Sequence, residues 1–261
     1  MFRKLLIGLS LLVSTLVSCD SKVVTLTANN FVSLIGPVSR NSVDDLIKSF
    51  NSKNILEYIQ EEGKIILYIN SPGGSVFAGN HLVQYIKTLQ SQNISVDCVG
   101  QNFMSMGFVI MQSCSKRYAM FDSIGMQHQM SLGMKGNLEN FKTHFNLIER
   151  VNAMLIDMEI KKIGISKADY LENILSDWWS YGIENVENNI VDDLINVKCT
   201  PNVMIERLKK KESMFGFEFE IDMSKCPILN DIKLSERNMT KYFDFENYSI
   251  NVKQILNEFN F

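Results

Sequence analysis

Ile69-Asn70-Ser71-Pro72-Gly73-Gly74-Ser75-Val76 and, further along, Gly100-Gln101-Asn102-Phe103-Met104-Ser105-Met106-Gly107 are the two stretches around which this chain is organised. Each is a glycine-bearing turn between an apolar run that reads as a buried strand and a segment with helical spacing. Glycine lets the backbone take positive φ and approach a ligand closely, and the helix that follows presents unpaired N–H groups at its start. Ser105 stands at the second junction, where an acyl-transfer enzyme places its nucleophile.

Working outward, Lys64 to Ile69 is a continuous apolar run of the kind shown by a strand buried on both faces. Leu82, Tyr85, Ile86 and Leu89 repeat at three and four residues and predict a helix from Val76. Ile94 to Val99 is the next strand, a helix starts around Ser105, and two short strands follow at Arg117 to Phe121 and Ile124 to His128. Upstream, Phe31 to Ile35 reads as a strand stopped by Gly36-Pro37, and Ser42 to Ile59 as one or two helices broken near Asn51-Ser52. Downstream, Leu138 to Ile163 carries the apolar stripe of a long helix that Gly164 stops. Ser166 to Asp169 is a near capping box for a helix through Leu175. The alternation of strand and helix gives a parallel α/β class. Beyond about Thr200 the texture changes: Met214 to Asp222 alternates as a half-wet strand, and Ile255, Leu256 and Phe259 suggest a short terminal helix.

With 261 residues, 46% hydrophobic and 21% charged, the chain has ordinary globular composition and room for one sizeable domain with an appendage. A net charge of −3 gives nucleic-acid binding no electrostatic support. The basic cluster Lys209-Lys210-Lys211, beside Glu206 and Glu212, reads as a solvated helix face. At the N-terminus Arg3 and Lys4 precede an apolar run from Leu5 to Ser18, shorter than the ~20 residues of a spanning helix. Charged start, apolar middle and small residues before a boundary are the grammar of a signal peptide. The boundary itself, Leu16-Val17-Ser18-Cys19, resembles the bacterial lipobox, which implies an acylated Cys19, a lipid anchor and an extracytoplasmic protein. Of the other cysteines, Cys98 lies in an apolar run and reads as a buried thiol. Cys199 and Cys226 are the pair to test for a disulfide, with three full connectivities open. No cysteine or histidine cluster supports a metal, and no cofactor is expected.

A serine nucleophile needs a base within hydrogen-bond reach. His81 and His144 fall inside helical segments and read as surface or core-edge residues. His128 ends an apolar strand, where functional groups of α/β folds gather, and is the better candidate.

Taken together, Ile69 to Gly74, the Ser-Met-Gly of residues 105–107 and Met126-Gln127-His128-Gln129 resemble the ClpP family of serine peptidases, in that order and at similar separations. Gly36-Pro37-Val38 is also similar, and the resemblance runs from roughly Val32 to Leu194. It implies the ClpP/crotonase-like fold of repeated ββα units with a long ring-contact helix. It further implies Ser105 as nucleophile, His128 as general base, and an oxyanion hole made by the N–H groups of Gly74 and Met106. An ungapped count back from Val191-Asp192 places Asp177 as the orienting acid. Gly73, Ser75 and Gln129 would flank a substrate held as an added strand. The implied partners are peptides or unfolded chains and a homo-oligomeric ring.

Departures from the family shape the rest of the expectation. Ser176 stands where the family usually has a ring-coupling arginine, which weakens the expectation of stacked rings. A signal peptide over residues 1–19 makes an ATPase partner improbable, because nucleotide is absent outside the cytoplasm. Residues 20–199 form the peptidase domain, and residues 200–261 an extension without counterpart in the family. Two alternatives stay open: an inactive scaffold lipoprotein with a vestigial triad, and an enzyme of the signal-peptide-peptidase kind with a Ser–Lys dyad.

Overall fold

The computed structural model describes residues 22–133, 135–214, 217–229 and 232–236. Expectations for residues 1–19, including Cys19, and for the terminal helix near Ile255 lie outside the described residues.

The chain opens with β1 (Val23–Leu26) and β2 (Phe31–Ile35) and continues into α1 (Arg40–Phe50) and α2 (Lys53–Glu62). Ser39 caps α1 through a reciprocal capping box with Ser42. The break between the helices falls at Asn51 and Ser52, and Gly63 ends α2 in the left-handed conformation. Next come β3 (Lys64–Ser71), α3 (Val76–Ser91), β4 (Ser95–Met104), α4 (Met106–Gln112) and β5 (Lys116–Gln127). Strands β2, β3, β4 and β5 pair side by side and parallel, joined through helical crossovers.

The two short strands expected at Arg117 to Phe121 and Ile124 to His128 are one strand. Its pairing with β4 jumps from Gly100↔Ala119 to Asn102↔Ile124. The residues between leave the ladder, which is why the sequence shows two apolar runs.

The long helix α5 (Leu138–Ile163) follows and stops at Gly164, which has φ 82°. Helix α6 (Lys167–Asn173) leads through a 3-10 turn (Ile174–Ser176) into β6 (Trp178–Tyr181), which pairs antiparallel to β5. A short α7 (Glu184–Glu187) and β7 (Asp193–Leu194) complete this sheet, β7 pairing parallel with Tyr118 and Ala119 of β5 on the edge that β6 also occupies. The result is a mixed α/β fold. Its main core lies between the sheet and α1, α3, α4 and α5, around Leu67, Ile69, Leu82, Phe103 and Phe108.

The opposite face of the sheet has its own core. Tyr68, Val99 and Tyr118 pack there on Leu26 of β1 and on Cys199, the last residue of β8 (Asn196–Cys199). Val203 of α8 (Pro201–Ile205) and Cys226 complete this cluster, so residues just beyond position 199 close the sheet's second face. Cys199 and Cys226 are joined by a disulfide across Cα atoms 6.0 Å apart. Closing a loop of this length is worth about 3.5 kcal/mol in the chain-entropy account.

Two expectations are corrected here. Cys98 is bonded to Cys114 rather than free: Cys114 lies two residues past the end of α4, and the return of the chain into β5 sets the two Cα atoms 5.8 Å apart. Lys209 to Lys211 lie not on a helix but in β9 (Arg207–Met214), which pairs antiparallel with β10 (Phe217–Ser224), itself paired to β11 (Ile232–Glu236). The register sets Lys209 opposite Asp222, and Arg207 of β9 pairs with the same carboxylate at 2.7 Å; opposite charges across a ladder favour the strand.

Candidate active site

Four neighbouring strand ends converge on one spot. β3 ends at Ser71, opposite Phe103 of β4, and runs into Gly73-Gly74. β4 ends at Met104, so Ser105 is the first residue past it. β5 ends at Gln127, opposite Trp178 at the start of β6. His128 and Asp177 therefore flank that last pair, one on each strand.

Ser105 connects β4 to α4 with φ 52° and ψ −118°. A non-glycine residue in that region carries about 1–3 kcal/mol of strain and persists only where its surroundings enforce it. Here the enforcement is visible: the Ser105 N–H donates to the Met126 carbonyl at 2.7 Å, and the Ser105 carbonyl accepts from Val109 N–H at 3.1 Å. Ser105 occupies the N-cap position of α4, yet its hydroxyl makes no capping bond. It points instead at His128, with Oγ 2.8 Å from Nε2. Both residues are partly exposed.

The turn at Gly73-Gly74 packs on this elbow. A Cβ at Gly73 would meet Ser105 Cβ at 2.6 Å and the Met104 carbonyl oxygen at 2.7 Å, and the glycine's φ is +92°. On its other side the turn is held as a strand: Val38 N–H donates to the Gly73 carbonyl at 2.7 Å, and Ser75 N–H to the Val38 carbonyl at 2.8 Å. Successive backbone groups of an extended segment point to opposite sides. The N–H and C=O of Gly74 thus face away from Val38, and Gly74 lines the same cavity as Ser105 and His128. Among the described residues nothing accepts from the N–H of Gly74 or of Met106. Met106 is the first residue of α4, where an N–H has no partner within the helix.

The remaining sequence-derived positions are scattered in role. Ser75 Oγ accepts from Ala78 N–H at 3.3 Å and so caps α3. Gln129 is exposed just past His128. Asp177 is exposed, with φ 46°, and no hydrogen bond joins its carboxylate to His128 among the described residues. His81 and His144 are exposed on α3 and α5. No three His, Cys, Asp or Glu side chains among the described residues converge as metal ligands do.

The cavity behind Ser105 holds a residue that sequence reasoning passed over. Glu159 of α5 is only 1% exposed. Its Oε1 accepts from Gln127 Nε2 at 2.6 Å and its Oε2 from Tyr170 OH at 2.9 Å. Burial pushes its carboxyl up to about 8, against the opposing pull of the hydrogen bonds from Tyr170 and Gln127. The signal was present in the sequence: Glu159 falls midway between Leu155 and Ile163 at a spacing of four, an acid on an otherwise apolar helix stripe.

This acid makes stability depend on pH in a defined direction. Its folded value lies above the ordinary 4.5, so its contribution is complete below 4.5, erodes as pH rises, and is gone above about 8. Thermal unfolding at pH 5, 7 and 9 is expected to show Glu159→Gln gaining on the native protein as pH rises, by a few kcal/mol overall. A pH-independent difference would mean that the acid is not held neutral.

The family model described as Clp protease matches residues 17–198. The chain belongs to the Clp protease family. Among curated proteins it is similar to the ATP-dependent Clp protease proteolytic subunit of Deinococcus radiodurans, 28% identical over 144 residues that cover 54% of this chain and 70% of that protein. The mixed sheet with flanking helices is consistent with the ClpP fold, and the homology supports a serine peptidase in general terms. In this Clp protease family member, the matched span ends one residue before Cys199 and contains both glycine turns, Ser105, His128, Glu159 and Asp177.

Proposed function

We propose that the protein is a serine endopeptidase that cleaves peptides or already unfolded chains with Ser105 as nucleophile, His128 as general base and Asp177 as orienting acid. The observation that carries this reading is the 2.8 Å contact between Ser105 Oγ and His128 Nε2 beside two free N–H groups. A substrate strand adds along Gly74, its scissile carbonyl against Ser105. Oγ attacks the carbonyl carbon as Nε2 takes its proton, and the N–H groups of Gly74 and Met106 receive the developing oxyanion. Each such donor is typically worth about 3–4 kcal/mol in the transition state. His128 then returns the proton to the leaving amine, and water repeats the sequence on the acyl-enzyme.

Nε2 can accept a proton only if Nδ1 bears one, and a carboxylate partner for Nδ1 fixes that tautomer. Asp177 is one strand position away, flanked by the exposed side chains of Leu175, Trp179 and Tyr181. Contact with a second copy in a homo-oligomeric ring would cover this apolar surface and bring Asp177 onto the imidazole. The same open contact is what favours the alternative of an inactive scaffold. The Ser–Lys alternative has no comparable support, since no lysine is among the described residues lining the cavity.

From the lipobox-like Leu16 to Cys19 we further propose an acylated Cys19, an extracytoplasmic location and cleavage without ATP, with residues 20–199 as the peptidase domain and residues 200–261 as an extension to it. Among the described residues no helix is long and apolar enough to cross a membrane. The test is degradation of a permanently unfolded protein without nucleotide. Cleavage that needs an added ATPase and ATP would refute the ATP-independent part, and absence of cleavage by the assembled protein would favour the scaffold.

A further inference from the structure

The cavity that opens at Ser105 and His128 has a volume of about 80 Å³. Its lining includes the apolar Val109, Leu155, Ile156 and Ile174, the polar Ser131 and Asn152, and the buried trio Gln127, Glu159 and Tyr170. A fully buried carboxyl group is rare unless paired with a cation. Glu159 takes part in no ion pair among the described residues, and no Lys or Arg among them lines the cavity. It touches neither Ser105 nor His128, so the proposed chemistry makes no use of it. A glutamine would serve both neighbours without burying an acid, accepting from Gln127 Nε2 and donating to the Tyr170 oxygen.

We propose that Glu159 is a specificity-determining residue that receives the ammonium group of a substrate lysine, so that the enzyme cleaves on the carbonyl side of lysine. This rests on the serine-peptidase reading of Ser105. A cavity of mixed lining that pairs apolar side chains with one carboxyl group matches a lysine side chain, whose four-carbon stem packs on apolar surface while its head seeks an acceptor. Size agrees: a water-sized group needs roughly 10–15 Å³ of such space, so the cavity takes about five to eight, and lysine has five non-hydrogen atoms beyond its Cα. Only two of the four lone-pair sites of the carboxylate are used by Gln127 and Tyr170, which leaves acceptors for the ammonium donors. On entry of the cation the carboxyl gives its proton to solvent, and a charge-assisted hydrogen bond replaces a buried neutral acid. An acidic side chain would meet Glu159 with like charge.

The test uses two peptidyl aldehydes that differ only in lysine or norleucine at the terminal position, each adding reversibly to a serine nucleophile. Their protection of Ser105 against a fluorophosphonate is measured on the full chain and on Glu159→Gln. The lysine aldehyde is expected to protect native protein at concentrations at least tenfold lower, and this ratio should fall close to one in Glu159→Gln. Equal protection by the two aldehydes, including none by either, or better protection by norleucine, overturns the assignment of Glu159 while leaving Ser105 as nucleophile. A ratio unchanged in Glu159→Gln overturns it too. If the fluorophosphonate fails to label native Ser105, the serine-peptidase reading fails and this inference with it. The native comparison decides alone if Glu159→Gln does not take up the probe.

Discussion

Ser105→Ala is expected to lower peptide hydrolysis by about 10⁴- to 10⁶-fold, and His128→Ala by a similar factor, with the double variant no worse than either single one. The non-additivity is what the proposed mechanism requires of the 2.8 Å contact: if Oγ and Nε2 act as one proton-transferring unit, removal of one leaves the other idle. Residual hydrolysis above the uncatalysed rate would come from the Gly74 and Met106 N–H groups, which neither substitution removes. Asp177→Ala separates the readings further. If assembly brings the carboxylate onto His128, the loss should be large in the oligomer; a loss under tenfold would leave a Ser–His dyad. Retention of hydrolysis by Ser105→Ala would assign the activity to another residue.

Gly73→Ala is expected to lower hydrolysis by about 10²-fold or more and to destabilise the fold by about 3–5 kcal/mol, as backbone strain and overpacking add. A methyl group there meets the Met104 carbonyl oxygen at 2.7 Å and the Met106 nitrogen at 2.9 Å, besides Ser105 Cβ at 2.6 Å. Two of these three are backbone atoms of the elbow, so no side-chain rotation relieves the clash. The elbow must shift, and a displacement of ~1 Å at a reacting atom costs on the order of 10²-fold in rate. Gly133→Ala is the matched control, because nothing lies within 4 Å of a Cβ at that position. Circular-dichroism melts with peptide hydrolysis on both variants check the expectation, and an active, stable Gly73→Ala would contradict the packing of the two turns.

What the sequence makes legible tracks how local the determinants are. Strands β3 and β4 are buried on both faces and stand out as unbroken apolar runs. The helix break at Asn51-Ser52 and the stop at Gly164 follow from single residues. Features set by distant partners are hidden. Cys98 looks like any small buried residue until α4 returns Cys114 to it. The lysines of β9 fit a wet helix face as well as a strand until β10 pairs alongside and sets Asp222 opposite Lys209.

The site divides in the same way. Ser105 and the glycines announce themselves at strand-to-helix junctions, whereas the proximity of His128 depends on the β4–β5 register, in which Met104 faces Met126. Asp177 is placed by counting along the chain, and a count fixes its strand position but not where its carboxylate points. Glu159 is hidden in the sequence because a long amphipathic helix accommodates acids easily. Only its phase with Leu155 and Ile163 marks it as buried.

The central claim, that Ser105 is a nucleophile activated by His128, is tested most directly by fluorophosphonate labelling, with the adduct mapped by peptide mass spectrometry and oligomeric mass measured on the same preparation. One adduct per chain is expected, on Ser105, and its loss in His128→Ala. An assembled protein that carries no adduct, or carries it elsewhere with Ser105 unmodified, would contradict it.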